Sequence, residues 1–168
     1  MGELAPISGR AWVVGDDIDT DILAPGAYMR GPVEDLARHC MEAVRPDFAG
    51  QVAPGDIVVA GRNFGMGSSR EQAAQALRML GVGCVLAPSF GGIFYRNAFN
   101  LGLPALVCDH GGRIADGDRL SVDAIAGRVT DESSGFALDS DAVPAHLAAI
   151  VAAGGLIPYL KARFAGQD

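Results

Sequence analysis

Residues Gly61 to Ala73, GRNFGMGSSREQA, follow the run Asp56-Ile57-Val58-Val59-Ala60 and lead into Ala73 to Leu80, which stops at Gly81. The first run is short, apolar and β-branched, so it reads as a buried strand, while Ala73 to Leu80 has helical character. A glycine loop therefore joins strand to helix. Ser68 followed by Glu71 fits the S-x-x-E capping box and predicts Ser68 at the helix N-cap, where free N–H groups and the helix dipole favour negative charge. Gly65 and Gly67 remove side chains that would hold an anion away. Capping alone accounts for neither the hydroxyl of Ser69 nor Arg70, whose fork of donors suits a carboxylate or phosphate. The stretch is read as an anion-handling site.

Working outward, Ala11-Trp12-Val13-Val14 starts a strand that runs into the acidic loop Gly15 to Asp21. Val33, Leu36, Ala37, Cys40 and Val44 follow helical spacing, which predicts an amphipathic helix over Val33 to Val44, ended by Arg45-Pro46. Gly83 to Ala87 and Ala105 to Cys108 read as further strands, with a helix over Phe94 to Leu101 between them. Alternating strands and helices imply an α/β core. Beyond Gly111, Asp118 to Val122 and Gly127 to Thr130 form a hairpin pattern, and Phe136 to Leu138 adds a strand. Val143 to Ala153 is helical, Gly154-Gly155 breaks it, and Leu156 to Phe164 is a last helix with Lys161 and Arg163 near its C-terminal end.

The chain has 168 residues, 49% of them hydrophobic, which is enough for one domain with a genuine core. Residues 1–168 are expected to form a single unit. With 13 basic against 20 acidic residues, a net charge of −7 and a lone lysine at Lys161, the sequence carries no footprint for nucleic acid or anionic membrane surfaces. Met1 to Ala11 lacks a signal-like apolar core and no segment has the length of a membrane span, so the expected location is the cytoplasm. Cys40, Cys84 and Cys108 are odd in number and widely spaced, which argues against a disulfide framework or a self-contained metal or cluster site. They read as reduced, partly buried cysteines. Cys108-Asp109-His110 reads as a strand entering a polar turn rather than a ligand set.

Other motifs fail on chemistry. Gly65-Met66-Gly67 opens like a dinucleotide fingerprint, but Arg70 stands where a third small residue must allow close packing. A P-loop needs a lysine that is absent here. Asp17-x-Asp19-x-Asp21 starts like a calcium loop, yet Ile22 replaces the glycine and Tyr28 the bidentate glutamate. No G-x-S-x-G elbow surrounds a serine. His39 and His146 read as helix-surface residues.

Four segments in order closely resemble the small subunits of 3-isopropylmalate dehydratase, the separate-chain version of aconitase's swivelling domain. They are GRNFGMGSSREQA, DDIDTDILAPGAYMRG at Asp16 to Gly31, SFGGIFYRNAFNLGLP at Ser89 to Pro104, and AGGLIPYLK at Ala153 to Lys161. The resemblance covers almost the whole chain. It implies a swivelling β/β/α domain with a mixed sheet flanked by helices. It also implies a hydro-lyase subunit, active with a large subunit that holds a 4Fe-4S cluster, which isomerises a hydroxy acid by dehydration and rehydration. By motif match, Ser68 is the base, as an alkoxide. Ser69 and Arg70 hold the substrate, and Arg30 of the YMRG loop binds another carboxylate. Asp21 orients the site by hydrogen bonding, although ordinary turn bonding explains these aspartates equally well. Asn63, Tyr95, Arg96 and Asn97 brace the loops.

The expected substrate is 2-isopropylmalate, in leucine biosynthesis. Homoaconitate, aconitate, 2,3-dimethylmalate and citraconate remain alternatives for the same chemistry, and a non-catalytic carboxylate-binding module is the alternative of a different class. Three positions depart from the family pattern: Met66 stands where cysteine is common, Gln72 where histidine is common, and Gly92 where an arginine often sits. Because half an active site needs another chain to exclude water, the surface around the loop is expected to be apolar and partner-facing.

Overall fold

The computed structural model describes residues 4–165. A seven-stranded sheet runs in the order β4-β3-β2-β1-β5-β6-β7. Its parallel half comprises β1 (Ile7–Val13), β2 (Ile57–Val59), β3 (Cys84–Ala87) and β4 (Ala105–Val107), and its antiparallel half β5 (Arg119–Asp123), β6 (Arg128–Asp131) and β7 (Phe136–Asp139). The strands of the parallel half alternate with helices, as the sequence pattern requires, and β2 and β3 are buried at every position because both faces are covered. The longer helices are α4 (Glu71–Met79), α5 (Gly92–Asn100), α6 (Ala145–Ala152) and α7 (Leu156–Phe164). Short turns of helix form α1 (Thr20–Leu23), α2 (Val33–Ala37) and α3 (Phe48–Gln51). No single helix among the described residues is long and apolar enough to cross a membrane.

The first strand joins the two halves. Ile7 to Arg10 pair antiparallel with β5, and Ala11 to Val13 pair parallel with β2. Gly9 is required at the change of partner, since a Cβ there would lie 2.2 Å from the carbonyl oxygen of Gly55. Trp12, fully buried, donates its indole N–H to Asp56 Oδ2 at 2.9 Å. Arg10 N–H donates to the other oxygen of Asp56 at 3.1 Å, so this buried carboxylate is well supplied with donors. Arg45 lies over the Trp12 ring and donates from Nη1 to Asp116 at 2.7 Å, which holds the Asp116 carboxyl below its ordinary range.

Two sequence expectations need correction. The helix predicted over Val33 to Val44 ends at Ala37. Beyond it the chain makes successive i→i+3 turns, and Met41 adopts a left-handed φ of 59° that no helix accommodates. The apolar spacing is genuine, because Cys40 and Met41 are both at 0% exposure, but a series of turns satisfies it. The cysteines are fully rather than partly buried, and burial pushes the Cys40 thiol up to about 12.

At the far end, Gly154-Gly155 turns the chain so that α6 and α7 meet at 91°. A Cβ on Gly155 would lie 2.8 Å from the carbonyl oxygen of Asn100, and one on Gly102 would lie 2.9 Å from Gly154. Backbone therefore touches backbone where α5 ends.

Asp131 occupies a core-facing position of β6, opposite the buried Leu120 and diagonal to Asp118. Its Oδ1 accepts from the N–H groups of Ser133 and Ser134, while its buried Oδ2 has no donor. Burial first, and the neighbouring Asp118 carboxyl second, raise its pKa above the ordinary carboxylate value. A raised folded pKa gives stability that is complete below the unfolded pKa and is lost as pH rises through the folded one. Asp131→Asn keeps the acceptor oxygen and removes the negative charge that burial and Asp118 disfavour. Thermal melts should therefore show the variant above wild type at about pH 8, with the advantage gone by about pH 4. A wild-type protein more stable than the variant at the higher pH contradicts this account.

Candidate active site

The glycine loop and the acidic loop leave the C-terminal ends of the adjacent parallel strands β2 and β1, and they are laced together. Gly61 N–H donates to Gly15 O at 3.0 Å, Asp17 N–H to Arg62 O at 2.8 Å, and Gly65 N–H to Ile18 O at 2.7 Å. Thr20 N–H donates to Met66 O at 2.9 Å. The aspartates have separate duties. Asp16 Oδ1 accepts from Arg62 N–H at 2.7 Å, and Asp17 Oδ1 accepts from Asn63 Nδ2 at 2.9 Å. Asp19 caps α1 by accepting from Ile22 N–H at 2.9 Å. Asp21 forms an ion pair with Arg70. Asn63 thus braces the loop as expected, from a left-handed φ of 62° that asparagine tolerates.

Ser68 is exposed, but it is not the N-cap. That position belongs to Arg70, in an extended conformation, and no side chain makes a capping bond there. The capping box fails because Ser68 is engaged elsewhere: its N–H donates to Thr20 Oγ1 at 3.2 Å, and the two hydroxyl oxygens lie 3.2 Å apart. Gly67 permits this at φ 120°, where a Cβ would sit 2.9 Å from Thr20 Oγ1. Ser69 is exposed at the mouth of α4. Arg70 Nη1 also donates to Ala24 O at 3.1 Å, so both of its contacts use one nitrogen. Nε and Nη2 carry no protein hydrogen bond among the described residues, and they are free for a two-point bond to a carboxylate.

The structure brings Ser68, Ser69, Arg70 and Asp21 together. Arg30 forms no hydrogen bond or ion pair with them; its guanidinium is exposed and unpaired among the described residues. Tyr28, two residues earlier, stacks on His39 with ring centroids 3.6 Å apart and planes at 2°. His39 therefore lies in a turn against the YMRG segment, not on a helix surface. His110 is buried. Its Nδ1 accepts from Gly112 N–H, which leaves Nε2–H to donate to Ala60 O at 2.7 Å, so both ring nitrogens serve the strand-to-turn transition. Among the described residues no three His, Cys, Asp or Glu side chains converge as metal ligands. A cleft of about 640 Å³ lined by Leu4, Ile125, Val143 and Ala148 contains none of the loop residues; its one charged group, Asp123, already accepts two backbone N–H bonds in its own turn.

Residues 34–110 match the Aconitase C-terminal domain family. The 3-isopropylmalate dehydratase small subunit of Halothermothrix orenii is 47% identical over 157 residues, covering 92% of this chain and 95% of that protein. Small subunit 2 of the same enzyme from Archaeoglobus fulgidus is 48% identical over 155 residues, covering 91% and 93%. The crystal structure of 3-isopropylmalate dehydratase from Methanocaldococcus jannaschii superposes with a TM-score of 0.91 at 41% identity, covering 97% of this chain and 98% of that one. This chain belongs to the 3-isopropylmalate dehydratase small-subunit family. Aconitase X from Thermococcus kodakaraensis shares the fold, with a TM-score of 0.50 at 15% identity over 83% of this chain.

Met66, Gln72 and Gly92 lie on the loop or on the first turns of the helices beside it. Met66 is 47% exposed and Ile93, in the first turn of α5, is 43% exposed; Gly91 packs the start of α5 against the loop at Gly65 and Met66, so the two side chains form an apolar border there. Gly92 opens α5, and a Cβ there would meet nothing within 4 Å, so the position has room for a larger side chain. Gln72 is half-buried on α4. The residue that sequence reasoning missed is Thr20. Its signal was its place between two aspartates of an otherwise acidic run, but its partner lies 48 residues away.

The loop tolerates little. Gly65 has φ 78°, and a Cβ there would lie 2.3 Å from Phe94 Cγ. Gly65→Ala should cost about 3 kcal/mol, combining left-handed strain with overpacking. Urea unfolding followed by circular dichroism measures it, and a loss below about 1 kcal/mol contradicts the packing described.

Proposed function

We propose that this chain, acting over residues 1–168 as one swivelling unit, is the small subunit of a cytoplasmic two-chain hydro-lyase that converts 2-isopropylmalate to 3-isopropylmalate in leucine biosynthesis, with Ser68 as its base. The observation that carries the reading is the exposed Ser68 hydroxyl, held by Thr20 next to a guanidinium whose own position is fixed by Asp21 and Ala24.

A serine hydroxyl is a weak acid, so its alkoxide needs donors aimed at it and positive charge nearby. Thr20 supplies such a donor, and Arg70, two residues along the chain from Ser68, supplies the charge. Arg70 binds a substrate carboxylate through its free nitrogens, with Ser69 as a further donor, and so brings the adjacent C–H bond to Ser68 Oγ. The hydrogen taken from carbon resides on Ser68 Oγ until it is returned to the neighbouring carbon on rehydration. Asp21 keeps Arg70 from swinging away and limits the excess positive charge. A 4Fe-4S cluster held by the large subunit supplies Lewis acidity for the departing hydroxyl. Among the described residues the three cysteines are buried and no three candidate ligands come together, so the reading places the cluster on the partner. The apolar border of Met66 and Ile93 suits burial against that larger subunit. A net charge of −7 offers nothing to nucleic acid or anionic membrane surfaces.

Reconstitution with the large subunit under anaerobic conditions tests the base. Ser68→Ala should lose turnover by about 1,000-fold while still assembling with its partner. Intact turnover removes the base assignment, and intact partner effects with no catalysis in either protein favour a binding module.

The unpaired Arg30 guanidinium favours a second reading of the substrate, in which a carboxylate replaces the isopropyl group, as in homoaconitate. The family likeness still favours isopropylmalate. Steady-state assays on both acids should show higher kcat/KM for isopropylmalate. A preference above about tenfold, or about 1.4 kcal/mol, for homoaconitate reverses the choice.

A further inference from the structure

Thr20 opens α1 and is 2% exposed. Both hydrogen-bond contacts of its hydroxyl are to Ser68, one accepted from the backbone N–H and one to the side-chain oxygen, each at 3.2 Å. A threonine hydroxyl has a single hydrogen to place, and leaving it without an acceptor in a buried position is costly. Accepting from Ser68 N–H uses a lone pair and leaves that hydrogen free. Among the described residues, Ser68 Oγ is the only acceptor within hydrogen-bond distance of Thr20 Oγ1. Burial denies the Thr20 hydroxyl a water instead, whereas the exposed Ser68 can turn its own hydrogen to solvent or substrate. Burial thus favours one direction for this bond, with Thr20 donating and Ser68 accepting.

We propose that Thr20 is a hydrogen-bond donor to the reacting oxygen of Ser68 and stabilises its alkoxide. This rests on Ser68 being the base. In the abstraction step the substrate C–H bond breaks, its electron pair stays with the carbon fragment, and the hydrogen goes to Ser68 Oγ. The Thr20 O–H bond stays intact throughout. Its hydrogen bond is strongest to the alkoxide and weaker to the neutral hydroxyl, so it lowers the pKa of the base. The backbone keeps the donor in place: Thr20 N–H is tied to Met66 O at 2.9 Å and Thr20 O to Ala24 N–H at 2.8 Å. Gly67 lets the serine loop come close enough. The charged groups around the pair are Asp19 and Asp21 from α1 and Arg70 and Glu71 from α4. Asp19 is occupied in capping α1, and Asp21 is paired with Arg70. Among the described residues Thr20 is thus the one neutral side chain within hydrogen-bond distance of this oxygen.

The test uses the assembled two-subunit enzyme and the variants Thr20→Val, Thr20→Ser and Ser68→Ala. Thr20→Val is isosteric and lacks the donor; kcat should fall about 100-fold with KM within about threefold, as for removal of one oxyanion donor. The alkaline-rising limb of the kcat pH profile should move up by about one unit, and Thr20→Ser should restore both kcat and the profile. Should Thr20→Val not assemble, Thr20→Ala removes the same donor without adding bulk and carries the comparison. A folded Thr20→Val with kcat within threefold of wild type, beside an inactive Ser68→Ala, overturns the inference while leaving Ser68 as base. A fall in kcat with an unmoved pH profile, or no rescue by Thr20→Ser, overturns it in favour of a packing role. An active Ser68→Ala removes the base itself, a separate failure.

Discussion

Parallel pairing of β1 with β2 places the C-terminal ends of the two strands side by side, with Val13 opposite Val59, and the loops that follow must share one edge of the sheet. Ligand sites of α/β proteins gather at such carboxyl ends. Here the constraint is tighter, because the two loops saturate each other's backbone groups and most of the aspartates in the acidic run. Each such bond contributes about 1 kcal/mol net, so their main effect is positional. Together they leave the Ser68 and Ser69 hydroxyls exposed and the Arg70 guanidinium with unused donors.

Much of the fold is legible in the sequence because burial imposes its own pattern. Ile57–Val59 and Cys84–Ala87 are unbroken apolar runs since both faces of the parallel half are covered. Arg119–Asp123 alternates since one face of the antiparallel half meets solvent. The helix breakers Gly81 and Gly154-Gly155 mark ends that the structure respects. Local signals mislead where distant partners compete with them. Ser68 and Glu71 have the spacing of a capping box, but a threonine 48 residues upstream captures the serine first. Val33 to Val44 has helical spacing, yet a left-handed Met41 converts its second half into turns with the same residues inside. The role of Asp21 could not be separated from turn bonding by sequence, since its partner Arg70 is brought to it only by the tertiary fold.

The electrostatics of the site are balanced locally. Asp21 and Arg70 form a pair in which the acid is largely exposed and the base less so, an arrangement that fixes orientation more than it adds stability. Orientation is what proton transfer from carbon demands, because a misplacement of about 1 Å is costly to rate. In the proposed reaction the neutral Thr20 and the charged Arg70 act on different atoms, one on the hydroxyl of this chain and the other on a carboxylate brought by substrate. Neither supplies a wall against water. The exposed Met66 and Ile93 mark where such a wall must be built from outside the chain.

The backbone contact between Gly102 and Gly154-Gly155 has a mechanical consequence. Helix α5 is gripped at both ends: Gly91 N–H, just before its first residue, donates to Phe64 O, and Phe94 fills the space that Gly65 leaves beside the serine loop. At its other end the helix rests against bare peptide, with no side chain to cushion a shift. It works as a strut, so a bulkier residue introduced at the α6–α7 corner would press on one end of a helix whose other end packs against the serine loop.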